Sequence, residues 1–162
     1  MNQSSTNIID FKPATKRIAF LHATWHEDIV LNCLEGFKVE LASLGYDTSL
    51  IDVIAVPGAY EIPLQVKLLA KSGQYSAIAG SALVVDGGIY RHDFVAQTVC
   101  NALMNIQLET EIPVLTAILT PHNFHEHDEH KDYFSRHFLK KGKELAKACD
   151  AAIQLTEKAK QL

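Results

Sequence analysis

Apolar residues recur along this chain in two periods, and the alternation between them predicts its elements. Four short runs, Arg17–His22, Leu50–Val56, Ala77–Val85 and Val114–Leu119, are rich in aliphatic residues and bounded by glycine, proline or polar residues. Their length and near-continuous apolar character suit strands covered on both faces. Between them, apolar positions return every three or four residues, the spacing of one helix face. Ile29, Val30, Cys33, Leu34, Phe37, Leu41 and Leu44 predict a helix from Glu27 to Leu44, closed by Gly45. After Pro57-Gly58 stops the second strand, Ala59-Tyr60-Glu61-Ile62-Pro63 opens a helix to Ser72, with proline in the first turn, where it is tolerated. A third helix spans His92 to Leu108. A last one, Lys143 to Ala159, carries Leu145, Ala146, Cys149, Ala152, Ile153 and Leu155 on its apolar side.

Strands and helices alternating over short connections predict an α/β fold. The expected form is a single-domain three-layer α/β/α sandwich on a four-stranded parallel sheet, with right-handed crossovers and flavodoxin-like winding. Residues 1–16, with Asn, Ser, Thr and Pro13, read as an N-terminal arm that orders only against something else, for instance as a strand added to a neighbouring subunit, and 17–162 as the domain. The third helix is apolar on two sides. Phe94, Val95, Val99, Ala102, Leu103 and Ile106 form one stripe, and Ala96, Cys100, Met104 and Leu108 another. Such a helix needs two partners; the sheet is one, and a second copy of the chain is the expected other.

Composition narrows the function classes. With 162 residues and 48% hydrophobic content, the chain suits one domain with a sizeable core, and its net charge of −4 argues against nucleic acid and anionic membrane as partners. Cys33, Cys100 and Cys149 all fall in apolar helical patterns, as small buried hydrophobes in a reducing cytoplasm would. Met1–Lys12 lacks the basic start and apolar stretch of an export signal, and no run is long enough for a membrane span. Soluble small-molecule chemistry in the cytoplasm is the expectation.

In open parallel sheets, ligands bind outside the carboxyl ends of the strands. Here those ends carry Trp25-His26, Pro57 to Glu61, Asp86 to His92, and Thr120 to His122. Gly87-Gly88 lies between a strand and a helix, where bare amides attract anions, with Arg91, His92 and Asp93 beside it. Trp25 after a strand favours stacking on a planar ligand over burial in the core. Glu61 either caps its helix or accepts hydrogen bonds from ligand hydroxyls. The cluster His122, His125, His127 and His130 suggests a metal, but the zinc-protease spacing fails at Glu129 and no second ligand cluster exists in the sequence. No metal is therefore expected, while a solvated polar helix and a phosphate or substrate role for one histidine both stay open.

Pro57-Gly58-Ala59-Tyr60-Glu61-Ile62-Pro63, the glycine turn followed by Asp93-Phe94-Val95-Ala96, Gln107-Leu-Glu-Thr-Glu-Ile-Pro113 and Leu119-Thr120 together closely resemble the lumazine synthase family from Arg17 onward. The resemblance implies condensation of 5-amino-6-(D-ribitylamino)uracil with 3,4-dihydroxy-2-butanone 4-phosphate to 6,7-dimethyl-8-ribityllumazine, the penultimate step of riboflavin biosynthesis. It implies no cofactor or metal, and sites built between neighbours of a pentamer. Carried onto this sequence, Trp25 stacks on the pyrimidine, Ala59, Tyr60 and Glu61 hold the ribityl chain, and the backbone of Leu83, Val84 and Val85 faces the uracil. Thr116 falls on a pyrimidine-site position of the fourth strand, Gly88 and Ile89 on the phosphate-binding amides, and His130 where most members place a phosphate-binding arginine.

Three positions depart from the family pattern: Trp25 where most members have phenylalanine, His130, and Arg91, which aligns with the acid/base histidine while a histidine follows at His92. Guanidinium is a poor proton shuttle and a good fixed charge, whereas imidazole exchanges protons near neutrality. One step along a helix also turns a side chain by about 100°. The expectation is that Arg91 stabilises phosphate and developing charge, with His92 second. These changes resemble the divergent second type of the family, whose members tend to form decamers of two pentamers. A lumazine- or flavin-binding shell that lost useful catalysis is the alternative from another class.

Overall fold

The computed structural model describes residues 16–86, 91–125 and 127–162. Strands β1 (Arg17–Ala23), β2 (Ile51–Val56), β3 (Tyr75–Leu83) and β4 (Val114–Leu119) alternate with helices α1 (Glu27–Ser43), α2 (Ile62–Lys71), α3 (His92–Thr110) and α4 (Asp128–Lys160). All pairings are parallel, in the order β2-β1-β3-β4. The expected three-layer α/β/α architecture is therefore present. Apart from Lys16, the expected N-terminal arm lies outside the described residues, as do Gly87, Gly88 and Ile89.

Alternation along each strand divides the interior into two cores. On β1, Ile18 and Phe20 face a core shared with Ile29, Phe37 and Leu41 of α1 and with Phe138, Cys149 and Ile153 of α4. Ala19, Leu21 and Ala23 point the other way, to Ile62 and Val66 of α2 and Val99 and Leu103 of α3. Both faces being covered explains why the central strands β1 and β3 are buried almost throughout, while the edge strands β2 and β4 are only partly covered. Left-handed backbone at Gly45 and Gly73 closes the chain after α1 and α2, as their positions suggested.

The last helix differs most from the sequence reading. It begins at Asp128 rather than Lys143 and runs for 33 residues. Its buried stripe, Phe138, Gly142, Leu145, Ala146, Cys149 and Ile153, has helical spacing throughout, but one member is a glycine, and a glycine amid lysines reads as an interruption. Gly142 is there because α1 and α4 cross almost backbone to backbone. A Cβ at Gly142 would overlap the Cys33 carbonyl, and one at Gly36 would overlap the Leu139 carbonyl.

The two stripes expected on α3 are also redrawn. Ala96, Val99, Leu103 and Ile106 are buried, while Phe94, Met104 and Leu108 stand exposed with Leu64 and Leu68 of α2. Cys33 and Cys149 are buried as expected, and burial pushes their thiols up to about 11 and about 12; Cys100 is only partly buried.

At the amino end of the sheet, Arg17 donates to both carboxylate oxygens of Asp52, each at 2.6 Å, and the Tyr75 hydroxyl adds a third bond at 2.9 Å. The Arg17 hydrogen bonds hold Asp52 below the usual carboxylate range. A carboxyl group depressed on folding adds stability above its unfolded value of about 4 and loses it as pH falls through its lowered one. This clasp thus ties β1 to β2 at neutral pH and releases in acid.

Candidate active site

The register brings the carboxyl ends of all four strands to one rim, with Ala23 beside Val56 and Leu83 beside Leu119. Strand order reverses between β1 and β3, so the connections leaving these two strands diverge and open a crevice of the kind in which open α/β sheets bind ligands.

On the β1 side, two backbone bonds dock the Trp25 segment onto the end of β2 and the loop after it: Thr24 N–H to the Val56 carbonyl at 2.8 Å, and Trp25 N–H to the Pro57 carbonyl at 3.3 Å. The Trp25 side chain nevertheless remains 71% exposed, so its ring is a surface offered to something else. That answers the sequence alternative of a core tryptophan. Gly58 packs beneath it: a Cβ at Gly58 would lie 3.6 Å from the indole and 3.3 Å from a Glu61 carboxylate oxygen. Glu61 accepts from the Gly58 N–H at 2.9 Å, which realises the helix-start reading of this residue. Only one carboxylate oxygen is used in that bond, and Glu61 is exposed, so its second oxygen remains an acceptor for a ligand. Ala59 is buried and Tyr60 exposed beside them.

On the β3 side, Leu83 and Val84 bury their side chains and Val85 packs partly against the core, leaving the backbone at the rim. Val84 N–H is tied to the Leu119 carbonyl at 2.8 Å. Asp86 accepts from the backbone N–H of His92 and lies 2.8 Å from its Nδ1 through the same oxygen, Oδ1. Those bonds, the backbone one foremost, hold the Asp86 carboxyl below its ordinary range. An ionised carboxylate only accepts, so Nδ1 carries the hydrogen of this contact and Nε2 is the ring nitrogen turned away from Asp86. The His122 ring stands edge-on to His92 with centroids 6.4 Å apart.

Arg91 is arranged differently. Its guanidinium donates to Asp93 at 3.0 Å and sits 4.6 Å from the Phe94 ring centroid, on an exposed surface at the start of α3. Of the residues expected at the phosphate site, His130 lies in the first turn of α4, its Nδ1 accepting weakly from the His125 N–H at 3.4 Å and its ring 6.2 Å from Phe134. Thr116 is exposed on the edge strand β4, three residues short of the rim, with β3 between it and β1. A single protomer thus unites Trp25, Gly58 and Glu61 on one side and Asp86, His92 and His122 on the other, but leaves Thr116 apart.

Asp86 and His122 entered the sequence reading only as ends of rim loops, His122 also as one of four clustered histidines, and neither was given a role of its own. Asp86 borders the glycine turn, and an acid next to a histidine-bearing turn is the signal that points to it. His122 stood as one of four clustered histidines, and spacing within a loop does not say which of them lies beside His92. Among the described residues, no group of three or more His, Cys, Asp or Glu side chains is disposed to hold a metal ion, and no helix is long and apolar enough to cross a membrane.

Residues 15–157 match the family model described as 6,7-dimethyl-8-ribityllumazine synthase. The 6,7-dimethyl-8-ribityllumazine synthase of Rhodococcus erythropolis is 55% identical to this chain over 139 residues, covering 86% of the chain and 90% of the relative. The 6,7-dimethyl-8-ribityllumazine synthase 2 of Pseudomonas syringae pv. tomato is 52% identical over 147 residues, covering 91% and 86%, and the synthase 2 of Bradyrhizobium diazoefficiens is 52% identical over 134 residues, covering 83% and 80%. The family match takes in the whole sheet and every rim residue described above, and by it the chain belongs to the 6,7-dimethyl-8-ribityllumazine synthase family.

Proposed function

We propose that the rim described above condenses 5-amino-6-(D-ribitylamino)uracil with 3,4-dihydroxy-2-butanone 4-phosphate, releasing phosphate and water, with the pyrimidine on the Trp25 side and the ketone phosphate on the His92 side. The carrying observation is the division of the crevice into an aromatic half with a carboxylate acceptor and an imidazole half oriented by Asp86. Trp25 stacks on the planar ring, and Glu61 accepts from ribityl hydroxyls with the Gly58 amide fixing its carboxylate. The backbone of Leu83, Val84 and Val85 pairs with the uracil edge.

In the reaction, the 5-amino group of the pyrimidine attacks the ketone carbon and water leaves to give an imine. Phosphate is then eliminated, the ribityl-bearing nitrogen closes the ring, and a second water departs. His92 Nε2 accepts and returns the protons that these steps displace, held in place by Asp86. Arg91 supplies charge to the phosphate. Its bond to Asp93 is exposed, and exposed ion pairs hold weakly, so a phosphate dianion readily draws the guanidinium away. Gly88, Ile89 and His130 complete the phosphate site. Holding two substrates together accounts for much of the acceleration, so the residues act as a clamp as well as proton carriers.

Thr116 stands apart within one chain, and Leu64, Leu68, Met104 and Leu108 form an exposed apolar face on α2 and α3. Both features support assembly of the site between copies; we place these copies in a pentamer, paired into a decamer, with arm 1–16 adding a strand to its neighbour, in the cytoplasm. Sedimentation velocity is expected to give a pentamer or decamer; a species of 18.0 kDa alone overturns the assembly.

Mixing purified protein with both substrates and following lumazine absorbance tests the function. Turnover is expected, with Trp25→Ala raising KM for the pyrimidine about tenfold. Tight binding of the product without turnover would instead identify a lumazine-binding shell.

A further inference from the structure

His26 connects the two halves of the crevice. It lies immediately after Trp25, at φ 57° and ψ 38°, in the left-handed region that a residue with a side chain rarely occupies. From this position its carbonyl accepts from the Ile29 and Val30 amides and starts α1, while its side chain makes no bond to the helix end. Serine, threonine, aspartate or asparagine at such a position ordinarily caps the helix. The imidazole is turned elsewhere, edge-on to Phe124, with ring centroids 5.1 Å apart at 69°. Phe124 in turn packs on Phe134 of α4 at 5.4 Å. It also lies two residues beyond His122, the imidazole beside His92.

We propose that His26 is a positioning residue: its left-handed backbone aims the Trp25 ring outward, and its ring, locked on Phe124, couples the pyrimidine half of the site to the loop carrying His122. The left-handed turn reverses the chain directly after Trp25, so the indole cannot follow α1 into the core. On its amino side Trp25 is held by the Pro57 carbonyl, and on its carboxyl side His26 anchors it through an aromatic stack that continues into α4. Edge-to-face aromatic contacts are directional, so the stack fixes an angle as well as a distance. The inference rests on the reading that Trp25 receives the pyrimidine.

The test exploits the fact that Trp25 is the only tryptophan of the chain, so its emission reports this site alone. His26→Asn retains a residue that tolerates the left-handed region, removes the imidazole and puts an amide able to cap α1 in its place; Phe124→Ala removes the partner without touching the start of α1. Each variant is expected to raise KM for the pyrimidine about tenfold, leave kcat within about twofold, and weaken the quenching of Trp25 emission by the pyrimidine at a given concentration. The double variant is expected to be no worse than the more affected single one, because both remove the same contact. Unchanged KM and quenching in both single variants, or additive effects in the double, overturn the coupling. Binding of the pyrimidine to the unaltered protein should itself quench Trp25. If it does not while turnover persists, the assignment of Trp25 fails, whatever the variants show.

Discussion

Replacing His92 with alanine is expected to lower kcat roughly a hundredfold, the ordinary scale of a lost proton-transfer group, with little change in KM for the pyrimidine. The reason lies in what surrounds each of the two adjacent candidates. His92 is fixed by two bonds to one Asp86 oxygen, which leave Nε2 as the ring nitrogen free of that carboxylate. Arg91, at the aligned position, is engaged with Asp93 and Phe94 on the exposed side of α3 and carries a charge that it cannot give up. Arg91→Ala should therefore raise KM for the ketone phosphate about tenfold while changing kcat less. Asp86→Asn should lower kcat about tenfold, because an amide no longer enforces the Nδ1–H tautomer. The pH dependence separates these roles. The carboxyl group of Asp86 is held below its ordinary value, so the orienting bond exists above that lowered value and is lost only as pH falls through it. From mildly acidic to alkaline pH Asp86 stays charged, so any acid limb of kcat in that range belongs to another group and should survive in Asp86→Asn at reduced height. Full turnover in His92→Ala, measured by lumazine absorbance, would remove the assignment.

The strands and the order of the elements were legible because burial on both faces leaves a simple mark, a short apolar run between chain-reversing residues. The rim followed from them, since parallel strands place every carboxyl end on one side. Trp25 and Glu61 were therefore legible as neighbours even though 36 positions separate them along the chain, because β1 and β2 pair in register from Ile18–Ile51 to Ala23–Val56. What was not legible depends on side-chain direction. Neither sequence spacing nor family resemblance reveals that Asp86 turns to His92, or that one of four clustered histidines stands edge-on to His92. The left-handed backbone at His26 was equally hidden: few residues other than glycine adopt it, and nothing in Ala23-Thr24-Trp25-His26 announces it.

Gly142→Ala is expected to destabilise the fold by roughly 3 kcal/mol, at the upper end of what one added methyl does in a packed interior. Helix propensity alone predicts the opposite sign, since alanine is favoured over glycine by about 1 kcal/mol inside a helix. The contact decides. The added Cβ would meet the Cys33 carbonyl of α1, and this is main chain, which cannot swing aside as a side-chain tip does. Relief requires α1 and α4 to separate, and their separation opens the core around Phe37, Phe138 and Cys149. Gly36, against the Leu139 carbonyl, makes the reciprocal contact and should respond in the same way. Denaturant midpoints of the two variants measure the effect, and a midpoint at or above that of the unaltered protein would show that the helices yield more easily than their backbone contact implies. The consequence reaches the site, because α4 carries Phe134, on which Phe124 packs. A Gly142 variant that still folds should thus combine lower stability with a raised KM for the pyrimidine, through the same ring stack that orients Trp25.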